Sequence, residues 1–99
     1  MRLSEIEKKA LNEALNGVEG EVYLFGSRTD DNKKGGDIDI LIFSNNSPFE
    51  LSQEVSVRFF KLCEEKIDVI VMNPNQLTRE QEAFLNTIEK IKLLNNKVD

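Results

Sequence analysis

The chain has 99 residues, of which 39% are apolar and 31% charged, which fits one globular domain over residues 1–99 and leaves no room for a second core. A formal net charge of −5 disfavours action on long DNA or RNA, because proteins that hold polyanions usually present a basic face. The absence of histidine excludes His-based general base catalysis, Ser-His-Asp triads and the usual zinc sites.

The N-terminal segment predicts a helix. Ser4 and Glu7 form a capping-box pattern, and the helix should run to about Leu15, before two glycines end it. Its apolar face consists of Ile6, Ala10, Leu11, Ala14 and Leu15. The chain shows no apolar segment of the signal-peptide type and no run near the ~18 apolar residues of a membrane span, so we expect a cytoplasmic protein.

Two strands separated by a polar loop come next. Residues 21–25 form a short β-rich run that stops at Gly26-Ser27, and the polar residues 28–36 form a loop. Residues 37–43, with the sequence DIDILIF, begin with alternating acidic and aliphatic residues and become continuously apolar. This pattern is typical of a buried strand whose N-terminal end emerges into a cleft.

A second helix and a third strand follow. Ser47-Pro48-Phe49-Glu50 is a capping-box pattern with proline at the first helical position, a strong helix start, and the helix should run to about Glu65. It should bury some of Phe49, Val55, Phe59, Phe60, Leu62 and Cys63, and the single cysteine is expected to be a buried thiol. Residues 67–72 form the third strand.

The C-terminal part predicts a last helix. Leu77-Thr78 opens it, with Gln81 at the reciprocal capping position. An apolar stripe at helical spacing follows, made of Phe84, Leu85, Ile88, Ile91 and Leu94. Most of this stripe should be core, and any exposed part would be a candidate partner surface. The Asn95-Asn96 tail should fray.

The element order predicts an α/β (α+β) fold in which a small three-stranded sheet is packed by helices. The connection between the first two strands is short for a crossover helix, so the sheet should be mixed.

The informative feature is a set of three acidic residues at strand positions. Asp37 and Asp39 are two residues apart on one strand, so their carboxylates point the same way, roughly 7 Å apart at the backbone. Asp68 is a lone carboxylate in an otherwise apolar strand, which is costly to bury without a partner. A divalent cation would relieve the repulsion, and Mg²⁺ prefers such oxygen ligands.

Gly26-Ser27, directly after the first strand, suits a phosphate group. The glycine lets an anion approach the backbone, and the serine offers a hydroxyl and an N–H. Arg28, Lys33 and Lys34 in the following loop could contact a triphosphate, although as solvated loop charges they need no role.

These residues resemble the nucleotidyltransferase pattern of the DNA polymerase beta superfamily: Gly26-Ser27, a spacer of about ten residues, Asp37-Ile38-Asp39, and the later acid Asp68. The length and the segment Ala83 to Ile88 resemble one branch, the minimal nucleotidyltransferases (MNT proteins). The resemblance covers nearly the whole chain and implies the polymerase beta-type fold.

The resemblance also implies roles. Asp37 and Asp39 would bind two Mg²⁺ ions, Asp68 would bind the catalytic ion and help deprotonate the acceptor hydroxyl, and Gly26 and Ser27, with Arg28 beside them, would hold the phosphates. A hydroxyl would attack the α-phosphate of a nucleoside triphosphate, with ATP expected from the family alone, and pyrophosphate would leave. Members of this branch commonly pair with a helical HEPN-type toxin, which the MNT antitoxin can adenylylate on tyrosine.

Two alternatives stay open. The chain could be a catalytically silent antitoxin that neutralises by binding alone. It could also transfer a nucleotide to a small molecule, as the antibiotic nucleotidyltransferases that share the motif do. Those enzymes typically add a domain to hold the substrate, so this reading would need a homo-oligomer to supply the missing wall.

Overall fold

A computed structural model describes all of residues 1–99. It contains three α-helices, a four-stranded sheet and two short 3₁₀ turns. In chain order these are α1 (Glu5–Leu15), β1 (Glu21–Phe25), a turn (Gly26–Thr29), β2 (Ile38–Phe43), α2 (Pro48–Leu62), β3 (Ile67–Met72), α3 (Arg79–Thr87), β4 (Lys90–Lys92) and a turn (Leu94–Asn96). The predicted α/β class is confirmed, and the predicted count of three strands is wrong.

The helix starts follow their capping residues. Ser4 Oγ accepts a hydrogen bond from the Glu7 N–H at 3.2 Å, and the Glu7 carboxylate accepts one from the Ser4 N–H at 2.8 Å. Thr78 and Gln81 form the same reciprocal pair at the start of α3. Ser47 makes no such bond, so the predicted capping box of α2 is absent, and Pro48 at the first helical position marks that start instead.

The sheet is mixed, as predicted, with strand order β3-β2-β1-β4. β2 runs antiparallel to β1 and parallel to β3, with α2 as the crossover between the parallel strands. Period-two alternation sends Ile38, Ile40 and Ile42 to one face, where α1 and α2 cover them. The side chains on the opposite face are partly covered by α3 and include Tyr23, Phe25, Leu41, Phe43, Ile70 and Met72.

α2 buries only one of its two apolar sides. Val55, Phe59 and Cys63, three of the residues from which the buried set was predicted, lie in the core. Phe49 and Phe60, from the same predicted set, are 72% and 54% exposed, and Val57 is 48% exposed. The large exposed apolar side chains of the chain are therefore concentrated on α2, whereas Phe84 and Ile88 of the predicted stripe are half-buried.

The last helix is shorter than its apolar spacing predicts. It ends at Thr87, and Lys90–Lys92 form β4, antiparallel to β1 with Ile91 opposite Leu24. Lys-Ile-Lys alternates with period two as well as fitting the helical stripe, and pairing with β1 satisfies backbone groups that a longer helix would leave open at that strand. Leu94, the last member of the stripe, is exposed.

The C-terminal tail does not fray, contrary to the prediction. The Asn12 side chain donates a hydrogen bond to the Val98 carbonyl at 2.9 Å and accepts one from the Val98 N–H at 2.6 Å. Asn96 Nδ2 donates to the Val18 carbonyl at 2.9 Å. Val98 is consequently buried against the core beside α1. None of the helices combines the length and the apolar composition that a membrane crossing requires.

Asn12→Ala should lower the free energy of unfolding by about 1–3 kcal/mol, because both backbone groups of Val98 lose their partner. Denaturant titration measures the change. Glu13→Ala, at the exposed neighbouring position of α1, is the matched control. Equal stability of the two variants would contradict a tail held by Asn12.

Candidate active site

Two of the three predicted acids lie side by side on neighbouring strands. The parallel register of β2 and β3 pairs Asp39 with Asp68, and alternation places both on the face opposite the main core. Asp39 also pairs with Phe25, the last residue of β1. The carboxylates therefore stand at the end of the sheet where β2 and β3 begin and β1 stops.

Asp37 lies one residue before β2 and is exposed. Its charge reaches Asp39, whose pKa is raised first by burial, then by the charges of Asp68 and Asp37, and last by a carboxyl–carboxyl hydrogen bond to Asp68. None of the ion pairs of the chain involves these three residues. The site is thus a concentration of negative charge without an ion-pair partner.

A divalent cation fits this donor set, because hard carboxylate oxygens are its preferred ligands and its charge would remove the repulsion at Asp39. Asp39 and Asp68 are adjacent by register, and Asp37 adds a third oxygen donor from the loop. The three side chains do not converge on one point closely enough to hold a metal between all of them.

Gly26 packs directly against the acid pair. Its φ is +79°, and a Cβ at this position would collide with the Asp39 carboxylate. The loop returns to the same place at Gly36, where a Cβ would collide with Ser27 Oγ. Two of the three predicted phosphate-binding residues, Gly26 and Ser27, therefore lie next to the acids, in the turn that follows β1.

Arg28, the third predicted phosphate-binding residue, is engaged inside the protein. Its guanidinium donates to both carboxylate oxygens of Glu7, at 2.9 and 3.0 Å, and to the carbonyls of Arg2 and Gly36, each at 2.9 Å. Four of the five N–H groups of an arginine are thereby used. The structure brings Arg28 close to Asp37 but commits its donors to α1 and to the loop.

Arg2 was not identified from the sequence, and it holds the same loop. Its guanidinium donates to the carbonyls of Ser27, Asp30 and Gly35 at 3.0, 2.6 and 2.9 Å. Together, Arg2 and Arg28 bond both ends of the segment that joins Gly26 to Asp37. No local pattern reveals this contact, because it joins residues more than 20 positions apart.

Glu7 is the second residue whose role the sequence did not reveal, beyond its part in the capping box. It is 5% exposed, and the hydrogen bond from Arg28 outweighs burial and holds its pKa at about 2. The Glu65 carboxyl lies beside it, and the hydrogen bond between the two, followed by burial, raises the pKa of Glu65. Cys63 Sγ donates to Glu65 at 3.4 Å, and burial raises the pKa of this thiol, which lies in the core as predicted.

Two open grooves border the site. One, of about 430 Å³, lies between the Gly26–Thr29 turn and the end of α3, and Lys33 is its single basic lining residue. The other, of about 250 Å³, lies beside Asp37 and is lined by Arg28, Glu65 and Lys66 among others. Lys34 is exposed and lines neither groove. The first groove offers a cation beside the Gly26–Thr29 turn, and the second adjoins an acid.

The family model described as nucleotidyltransferase domain matches residues 4–99 of the chain. This range includes every helix and strand and all the acids of the site. No curated protein matches the chain.

The Glu7–Arg28 ion pair should make stability depend on acid pH. The pKa of Glu7 is lowered from 4.5 to about 2 by folding, so its contribution is fully present above pH 4.5 and is lost as the pH falls towards 2. Urea unfolding at several pH values should show this loss in the natural chain and not in Glu7→Gln, which should be less stable by about 3 kcal/mol at pH 7. Glu65→Gln, which removes the neighbouring carboxyl, should keep the acid dependence. An identical pH profile for Glu7→Gln would contradict the ion pair.

Gly26→Ala and Gly17→Ala should separate backbone strain from the collision with Asp39. Both glycines have φ near +80°, and a Cβ at Gly17 would meet nothing within 4 Å. Gly17→Ala should therefore lower the free energy of unfolding by about 1–2 kcal/mol through strain alone. Gly26→Ala should cost about 1–3 kcal/mol more because the Asp39 carboxylate must move. Thermal and denaturant unfolding compare the two, and equal losses would show that Asp39 does not pack on Gly26.

Proposed function

Because the chain belongs to the nucleotidyltransferase domain family, we propose that it transfers AMP from ATP to a hydroxyl group of a protein. The observation that carries this proposal is the pairing of Asp39 with Asp68 beside the Gly26–Ser27 turn. Asp39 and Asp68 have no ion-pair partner, and the neighbouring turn packs on Asp39 and carries the Ser27 hydroxyl. Metal-dependent phosphoryl chemistry needs carboxylates of this kind for the metal and a turn of this kind for the phosphate.

Asp37, Asp39 and Asp68 would hold Mg²⁺, with two ions expected from the family. When bound, the metal supplies positive charge that stabilises the phosphate oxygens of the transition state. The Gly26 and Ser27 backbone would bind the β- and γ-phosphates. Lys33 supports this placement, because it lines the groove on the same side of the turn.

Asp68 would accept the proton of the acceptor hydroxyl, a role that its exposure on the outermost strand of the sheet supports. The acceptor oxygen forms a bond to the α-phosphorus, and the bond from that phosphorus to the bridging oxygen of pyrophosphate breaks. The proton moves to the Asp68 carboxylate, and pyrophosphate leaves with the negative charge.

Arg28 is proposed to position the site rather than to bind phosphate. Its hydrogen bonds join the turn after β1 to α1 and to the residue that precedes Asp37. Arg2 adds three bonds to the same loop. The two arginines would keep the phosphate-binding turn at a fixed distance from Asp37, which matters because small displacements of reacting groups cost large factors in rate.

A protein acceptor is favoured over a small molecule by the openness of the site. Asp37 and Asp68 are exposed, and the bordering grooves are open and polar rather than enclosed and apolar, as small-molecule pockets usually are. The resemblance to MNT proteins makes a tyrosine of a HEPN-type toxin the proposed acceptor, with this chain as antitoxin. The net charge of −5 supports a partner other than long nucleic acid.

Neutralisation by binding alone is the second candidate. It is favoured by the apolar side chains that α2 presents to solvent, Phe49, Val57 and Phe60, because such patches mark interaction surfaces. In that case the acids would be dispensable. Binding and transfer can be separated with variants that leave the surface of α2 unchanged.

Incubation with Mg²⁺, α-labelled ATP and a HEPN-type protein encoded by a neighbouring gene should label that protein. Asp39→Asn and Asp68→Asn should each lower the rate by roughly 10²–10³-fold, because each removes charge from the metal site. Asp99→Asn, at an exposed acid far along the chain, is the control and should keep full activity.

Labelling that survives in both site variants would refute the assignment of the acids. A stable complex that blocks the toxin without any labelling, unchanged in Asp37→Asn/Asp39→Asn, would establish the binding-only antitoxin.

A further inference from the structure

The sheet has one open edge, and it adjoins the acids. β3 is the outermost strand on its side, with β2 as its only neighbour. It is six residues long, with the sequence IDVIVM, and Asp68 is its only charged residue. A long apolar edge strand offers unpaired backbone groups to another polypeptide, and natural proteins usually protect such edges.

The opposite edge is protected in the usual ways. β4 has only three residues, and its sequence is KIK, so two of its three side chains are lysines. Short length and charged side chains both discourage pairing with another strand. The protein therefore protects the edge that lies away from the acids and leaves open the edge that carries one of them.

The register identifies which groups of β3 face outward. The Ser44 N–H donates to the Met72 carbonyl, so Met72, Ile70 and Asp68 direct their backbone groups towards β2. Ile67, Val69 and Val71 direct their backbone N–H and C=O groups towards the open edge. A strand added there would bond to these three residues.

An apolar groove accompanies this edge on the core side of the sheet. It has a volume of about 340 Å³, and its apolar lining residues are Val57 and Phe60 of α2 and Ile67 of β3. Val57 and Phe60 are the exposed side chains that the core does not use. The start of β3 thus has an acid on one face and an apolar groove on the other.

We propose that the open edge of β3 binds the acceptor as an extended, antiparallel segment, with its hydroxyl residue opposite Asp68. Residues opposite each other on adjacent strands place their side chains on the same face, so the hydroxyl would continue the row Phe25, Asp39, Asp68. The residues before and after it would point to the other face, into the groove of Val57, Phe60 and Ile67. The proposed acceptor is therefore a hydroxyl residue that is flanked by apolar residues, in a segment that is unfolded or forms an edge strand of the acceptor protein.

A second copy of the chain fits this edge less well. The other residues on the face of Asp68 in β3 are Ile70 and Met72. Antiparallel self-pairing would set Asp68 against one of these apolar side chains or against its own equivalent. The first removes a charge from water without a partner, and the second opposes like charges. A hydroxyl group can instead donate a hydrogen bond to Asp68.

This inference rests on the proposed transfer to a protein hydroxyl, and its test separates the two. The probe is a synthetic nine-residue peptide with a central tyrosine and a valine on each side of it. Added at saturating concentration, it should slow amide hydrogen exchange at Val69 by at least about tenfold, measured by NMR, and leave exchange in β4 unchanged. With Mg²⁺ and α-labelled ATP, its tyrosine should become labelled.

Two backbone-methylated peptides provide matched controls. Asp68 directs its backbone groups to β2, so in antiparallel addition the flanking valines, and not the tyrosine, carry the hydrogen bonds to β3. Methylation of the two valine nitrogens should abolish protection and labelling. Methylation of the tyrosine nitrogen should preserve both.

Variants of the protein test the edge of β3 and the apolar groove separately. Val69→Pro removes an outward N–H without touching the β2 pairing, and Phe60→Glu places a charge in the groove. Each should lower kcat/KM for the peptide by about tenfold and leave the Kd for ATP unchanged. Phe49→Glu is the control, because it changes an exposed phenylalanine of α2 that does not line the groove.

Protection of Val69 without labelling supports the docking site and counts against the proposed transfer. Labelling without protection, or equal behaviour of all three peptides, overturns the docking site and leaves the transfer standing. Absence of both signals overturns the docking site, as does concentration-dependent protection of Val69 in the protein alone, which would show that a second copy occupies the edge.

Discussion

The parallel, in-register pairing of β2 with β3 is the constraint on which the rest of the site depends. It places Asp39 and Asp68 opposite each other on one face, so the backbone positions of the two acids cannot separate without breaking the sheet. The backbone ladder and the fully buried isoleucines of β2 hold this arrangement, although burial and then the charges of Asp68 and Asp37 raise the pKa of Asp39. A large core on one face thus stabilises an unfavourable charge arrangement on the other, which a divalent cation would relieve.

The loop between β1 and β2 is a second constraint, because it joins the Gly26–Thr29 turn, which we propose to bind phosphate, to Asp37 and has no regular structure for residues 30–37. Side-chain donors replace the missing backbone ladder. Arg2 and Arg28 bond to carbonyls at both ends of the loop, and Glu7 fixes Arg28 by a two-point ion pair. The charge of Arg28 is therefore compensated at α1, which leaves the negative field of the acids available for a metal ion.

The parts of the structure that were predictable are those set by local patterns. Alternation predicted that Asp39 points away from Ile38, and capping residues marked the starts of α1 and α3. Asp37, predicted as the first residue of the same strand, lies one residue before β2. β4 was missed because Ile88, Ile91 and Leu94 have helical spacing, whereas the alternation of Lys90-Ile91-Lys92 is only three residues long, and the free edge of β1 decides in favour of the strand. The Glu7–Arg28–Arg2 network was missed because it joins distant positions. The sequence did not reveal which phenylalanines of α2 point into the core, because that depends on where α1 packs.

Phe60 on α2 and the open strand β3 each carry a free-energy cost in a free monomer. Phe60 leaves apolar area in water, and β3 leaves backbone groups that can pair with any extended chain. The outward backbone groups of β3 and the exposed ring of Phe60 do not hold Asp39 and Asp68 in place, because the β2–β3 ladder and the core side chains Val55 and Phe59 already do so. Both border the groove on the face of the sheet opposite Asp68, where the proposed acceptor segment would dock. A chain that kept the same acids for a small acceptor would gain stability from a polar residue at position 60 and a charged residue on β3. The exposed Phe60 and the open edge of β3 therefore support the proposed macromolecular acceptor over a small one.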